Sequence, residues 1–150
     1  MSKALPRAMS GLLMVLLLSA CATSSQVVVQ PSASTVAINY HSAYLVTHGG
    51  NSRDMDAHIQ EALLERGFRV TTGRDARASG NAQLVVRYAD DWQWDMVMYL
   101  KSFDLMIYDG RTNVLLAEGT WKNSLLHGFY SANKVVDQVV STTVKKLEHH

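Results

Sequence analysis

The sequence predicts an α+β domain: a two-layer sandwich of about five mostly antiparallel strands with two helices on one face. Two segments, opening near Met55 and Ser131, repeat apolar residues at helical spacing. The strand-like segments alternate or run apolar, and most are joined by links short enough to favour antiparallel neighbours. Apolar stripes on helices and apolar faces of sheets are buried against each other, and one sheet covered by both helices satisfies all of them.

Taken in order, "TVAINYHSAYLV" at residues 35–46 alternates Val36, Ile38 and Tyr40 and fits a first strand. The loop "THGGNSRD" follows, with Gly49 and Gly50 for the turn and Asn51 or Ser52 as a helix cap. Met55, Ile59, Ala62 and Leu63 then share one helical face, and Gly67 stops the helix. Residues 68–72 make a second strand, and residues 82–89, beyond the polar loop "GRDARASGN", a third. A long stretch from about Trp94 to Tyr108 reads as a fourth strand, and Val114 to Lys122 as a fifth. Between them "YDGRTN" carries Asp109-Gly110, the chemistry of a tight hairpin turn. Ser131 is placed to cap a last helix with the stripe Val135, Val136, Val139, Val140, Val144 and Leu147.

The amino-terminal segment has a different character. Lys3 and Arg7 precede an apolar run, residues 8–18, broken only by Ser10 and Gly11. That run is well short of the roughly 20 residues that cross a bilayer as a helix, so residues 1–20 read as a secretory signal. Its end, Leu18-Ser19-Ala20-Cys21, resembles the lipobox of bacterial lipoproteins. The resemblance implies diacylglycerol on the Cys21 sulfur, cleavage before Cys21, and acylation of the new amino terminus. With Ala22 rather than an aspartate next, it also implies sorting to the outer membrane, facing the periplasm. Without the resemblance, the same residues read as an ordinary signal cut after Ala20, leaving a free thiol. One acyl chain, at about 0.8 kcal/mol per buried methylene, binds only reversibly; three on one residue hold effectively for good.

Residues 21–34, rich in Ser, Ala and Thr and containing Pro31, read as a lipidated tether holding the 35–146 domain off the membrane. Val27 to Val29 inside it read either as a first edge strand or as a segment that pairs only when a partner arrives. Residues 147–150, Leu-Glu-His-His, look like the start of a purification tag. The chain holds 14 Lys and Arg against 13 Asp and Glu. Lys3 and Arg7 leave with the signal and Glu148 with the tag, so the remaining domain is neutral and offers no electrostatic footprint for nucleic acid. Cys21 is the only cysteine, so the core forms without a disulfide.

Catalytic and metal signatures are weak. His41, His48, His58 and His127 lack the helix-pair spacing of a zinc site, and no serine sits in a nucleophile elbow. Asp90, Asp91 and Asp95 form a local acidic group without the glycine turn of a calcium loop, and read as a solvated strand end. The expectation is a non-enzyme without a cofactor, an envelope hydrolase being the least favoured alternative.

One stretch asks for a function, "DDWQWDMVMYLKSF" at residues 90–103. As one strand it sends Trp92, Trp94, Met96, Met98 and Leu100 to one side and Val97, Tyr99, Phe103, Leu105 and Ile107 to the other. Beyond residue 101 only the odd side stays apolar, so the odd side is expected to face the helices. Trp92, Trp94, Met96 and Met98 would then lie on the open face or beyond its edge, as a surface for an envelope protein, a glycan or self-association. The competing reading buries them through a twist, a bulge or the Val27–Val29 segment. A third notes that Met96, Met98 and Trp94 are similar to the Met-x-Met plus tryptophan arrangement of small periplasmic copper and silver chaperones, which would make them a soft Cu(I) or Ag(I) site.

The order of elements, with "LLERGF" closing the first helix, then "AQLVVRY" and a hairpin arm ending "LLAEGTW", resembles a family of uncharacterised bacterial outer-membrane lipoproteins. That resemblance implies a fold and an address, and no catalytic residue. The expected function is an accessory or binding module of the cell envelope.

Overall fold

The computed structural model describes residues 24–29, 39–49, 53–124 and 128–149. Residues 1–20, read as a signal, and Cys21, Val36, Ile38, Gly50, Asn51, Ser52 and His127 lie outside them. The chain is α+β, with two α-helices and a six-stranded mixed sheet among the described residues. In order come β1 (Ser24–Val29), β2 (Ser42–Val46), α1 (Met55–Glu65), β3 (Arg69–Gly73), a 3-10 turn (Ala76–Ser79), β4 (Leu84–Asp95), β5 (Val97–Asp109), β6 (Leu115–Lys122) and α2 (Ala132–Glu148). Across the sheet the order is β1-β6-β5-β4-β2-β3.

Two sequence expectations need correction. The strands among the described residues number six, because Ser24–Val29 pairs antiparallel with β6 from Ser24↔Lys122 to Val29↔Ala117, the edge-strand alternative for Val27 to Val29 within the segment read as a tether. Nor is the sheet as antiparallel as the short links suggested. β2 runs parallel to β3 and to β4. For β2 and β3 the reason is α1, since a helix between two strands returns the chain to the same end of the sheet. The link of residues 74–83, with its 3-10 turn, likewise carries the chain from β3 past β2 into a parallel β4.

Each helix forms where its stripe lies. Met55, Ile59, Ala62 and Leu63 of α1 are buried, as are Val135, Val136, Val139, Val140 and Val144 of α2. They share one core with Leu45, Leu84, Val86, Tyr88, Phe103, Leu105, Ile107 and Trp121 of the sheet. Burial at this scale contributes roughly 1.5–3 kcal/mol for each large side chain. Leu147, read as tag, packs half-buried against the same core.

The local signals differ in how closely they were met. α1 ends at Gly67, φ 83, where the Gly67 and Phe68 amides donate to the Leu64 and Leu63 carbonyls. Its amino-terminal flank is Asp54, with φ 65 and no side-chain cap. Ser131 does stand at the N-cap position of α2, yet its hydroxyl turns to the Asn133 side chain instead of the helix backbone. At the β5–β6 link, the Asp109 carboxylate accepts from the Arg111 and Thr112 amides and the Thr112 hydroxyl. Burial pushes that carboxyl up, but these hydrogen bonds and the Arg111 charge outweigh it and hold its pKa below the ordinary value. Gly119 lets α2 approach the sheet, since a Cβ there would lie 2.1 Å from the Thr143 hydroxyl.

Candidate functional site

The largest departure from the sequence reading creates the candidate site. Residues 94–108 are not one strand: the chain reverses at Met96, so Trp94 pairs across the hairpin with Met98, and Trp92 with Leu100. Met96 sits at φ 61, in the left-handed region that residues other than glycine rarely adopt. No Gly, Asn or Pro marks this turn, which is why the apolar run concealed it.

A second irregularity sets which way the side chains point. Asp91 pairs with Ser102 and Trp92 with Leu100, so Lys101 is an extra residue bulged out of β5. Alternation changes parity there. Odd residues Phe103, Leu105 and Ile107 face the helices as expected, but before the bulge the even residue Leu100, 1 % exposed, takes that side. In β4 the helix-facing row is even throughout, from Leu84, Val86 and Tyr88 to Trp92 and Trp94. Of the two places expected for Trp92, Trp94 and Met98, the face away from the helices is therefore corrected, because parity carried back from Phe103 fails at the bulge.

Exposure comes from reach instead. β6 pairs with β5 only from Ser102 onward, and β2 with β4 only at Leu84–Val86. The outer half of the hairpin is thus a two-stranded ribbon projecting past its neighbours. Trp92 is half-buried: it packs on the core, donates its indole N–H to Asp90 at 2.6 Å, and carries the Arg53 guanidinium over its ring. Further out, Trp94 is 70 % exposed and Met96 84 %, with Val97 and Met98 also exposed. Tyr99 turns to the opposite side, where its hydroxyl donates to Gln93 and its ring meets Phe129 edge-on. Phe129, 64 % exposed, and Tyr130, edge-on to Trp121, extend the aromatic surface beside the ribbon's base.

The remaining candidates separate. Strand alternation puts Asp90 and Asp91 on opposite faces, and Asp95 lies at the turn. His41 is exposed, and His58 lines a polar groove of about 260 Å³ between the helices with Glu61, Glu65, Asn133, Lys134 and Asp137. Among the described residues no three His, Cys, Asp or Glu side chains converge as a metal site would need. Met96 occupies the turn itself and Met98 faces Trp94 across the ribbon, so the two thioethers are not neighbours along a single strand face.

One cluster escaped the sequence reading. Asp56 in the first turn of α1 accepts from the His48 and Gly49 amides and from the Tyr88 hydroxyl at 2.7 Å, while the His48 ring stacks on Tyr88 with centroids 4.1 Å apart. Burial, then the hydrogen bond to Asp56 and the nearby carboxylates, raises the Tyr88 phenol's pKa and keeps it protonated. The cluster fastens the loop after β2 to α1. Its only sequence signal was an acidic residue in a first helical turn, which a generic helix also carries.

No family model matches the chain, and no curated protein matches it. Among solved structures it is similar to a PelC dodecamer from Paraburkholderia phytofirmans in two crystal forms. The first has TM-score 0.58 and 14 % identity, covering 86 % of this chain and 100 % of that one. The second has TM-score 0.58 and 13 % identity, covering 85 % and 99 %. A PDZ domain protein from Parabacteroides distasonis matches with TM-score 0.50 and 14 % identity, over 92 % of this chain and 39 % of that one. At these identities the likeness is one of fold.

Proposed function

We propose that this chain is a non-enzymatic lipoprotein of the outer membrane, anchored through Cys21, whose periplasm-facing domain is an accessory or binding module of the cell envelope. The lipobox-like Leu18-Ser19-Ala20-Cys21 supports the anchor. The binding role is carried by one observation: a projecting ribbon that exposes Trp94, Met96, Val97 and Met98 together, where soluble surfaces seldom gather large apolar side chains. We read the architecture as a two-layer sandwich whose helices leave the ribbon's outer half uncovered. The PelC neighbours are dodecamers, which supports self-association as one form the contact could take. Among the described residues no helix is long and apolar enough to cross a membrane.

The anchor is tested directly. Cys21→Ser should abolish incorporation of labelled palmitate and release the domain from membranes, and labelling that persists in this variant refutes the assignment.

A further inference from the structure

We propose that the hairpin tip, Trp94 to Met98, is a second membrane contact that seats in the headgroup layer of the bilayer to which Cys21 is anchored. The inference rests on the lipoprotein reading above and names the partner of its exposed surface.

The argument is one of register. Ser24 pairs with Lys122, and Lys122 with Ser102, so the amino end of β1, the carboxyl end of β6 and the base of the projecting ribbon lie side by side at one end of the sheet. The ribbon leaves the sheet at the end where Ser24, the described residue nearest Cys21 in sequence, stands. From Ser24 to Cys21 is three residues, a reach of at most about 10 Å. From Ser102 out to Met96, with Lys101 bulged, the ribbon advances by five strand steps, about 17 Å. A lipid anchored at Cys21 therefore brings the bilayer surface closer to this end of the sheet than the length of the ribbon. The tip then enters the interface, or the domain leans until the ribbon lies along it.

The side chains suit that position. Trp and Tyr favour the membrane–water interface, where the ring sits among headgroups and the polar atom stays wet. Trp94, Met96, Val97 and Met98 are at the tip, and Phe129 and Tyr130 lie exposed near its base. Lys122, exposed at the same end, is placed to meet lipid phosphate. Asp95 in the turn limits the depth, since a carboxylate is costly in hydrocarbon. A second contact also fixes orientation: an anchor alone lets a domain swivel, and two contacts at one end of the sheet hold the opposite end toward the periplasm.

The test uses the full lipidated protein, extracted from membranes and reconstituted into phosphatidylethanolamine–phosphatidylglycerol vesicles in which part of the lipid carries bromine on upper acyl carbons. Flotation reports the anchor, and quenching of tryptophan emission reports the tip. The wild type should float and lose a blue-shifted component of its emission to the brominated lipid. Trp94→Phe should float equally well but lose that quenched component, because Trp121 is buried and Trp92 packs on the core. Wild-type protein that does not float overturns the anchor on which the inference stands. Protein that floats with Trp94 unquenched overturns the tip contact alone, and copy-to-copy crosslinking from position 94 in that state assigns the tip to a second copy instead.

Discussion

The inner and outer halves of the β4–β5 hairpin are made of the same two strands and both carry large apolar side chains, yet the core ends partway out, at Trp92 and Leu100. In the inner half, Tyr88, Phe103, Leu105 and Ile107 are buried beneath α1 and α2. In the outer half, Trp94 and Met98 continue the same helix-facing row and are exposed, because among the described residues no helix extends over them and no third strand accompanies them. Apolar character therefore does not say which residues build a core. Coverage does, and the uncovered half is where an apolar surface remains for a partner.

The comparison is broken most forcefully by truncation. Phe103→Ala and Leu100→Ala, one on each side of the Lys101 bulge, should each cost about 2–5 kcal/mol, since both side chains are fully enclosed. Trp92→Ser should fall between, about 1–3 kcal/mol, in proportion to the half of the ring that packs on the core. Trp94→Ser should stay within about 0.5 kcal/mol of wild type. Urea unfolding of the four variants ranks them, and a Trp94 loss as large as that of Phe103 would mean the outer half is core after all.

A smaller effect comes from the turn that divides the halves. Met96→Gly removes the cost of a left-handed residue carrying a side chain, and should stabilise by up to about 1 kcal/mol. It should also weaken lipid quenching by deleting an apolar group at the tip. Stability raised and contact lowered in one variant would show that the strain at Met96 is maintained for the surface it presents.

The smallest expected effect is in acid, at the far end of β5. The folded Asp109 carboxyl lies below its ordinary value of 3.8, so its contribution to stability is present above the unfolded pKa and is lost as pH falls through the lower folded one. Asp109→Asn should lower the urea midpoint near neutral pH and narrow the gap between wild type and variant by about pH 3. A gap that widens in acid would mean that the turn does not draw on the charged carboxylate.

Much of this was legible in the residues themselves. The stripes of both helices, the stop at Gly67 and the Asp109 turn are local: spacing and turn chemistry act over a few residues, so the chain alone determines them. The lipobox-like end is legible for the same reason, as a contiguous string. Tertiary structure decided the rest. The reversal at Met96 has no turn residue to announce it, and stands because pairing along β4 and β5 outweighs the local preference of one methionine. The Lys101 bulge inverts the parity of the face before Phe103, and a strand's period of two offers no warning of an inserted residue. Ser24–Val29 became an edge strand because β6 supplied its hydrogen bonds, a partner some hundred residues away in sequence. That pairing places Ser24, three residues along the chain from the candidate anchor, and the exposed ribbon at one end of the sheet, a proximity that register sets and that no stretch of the chain encodes locally.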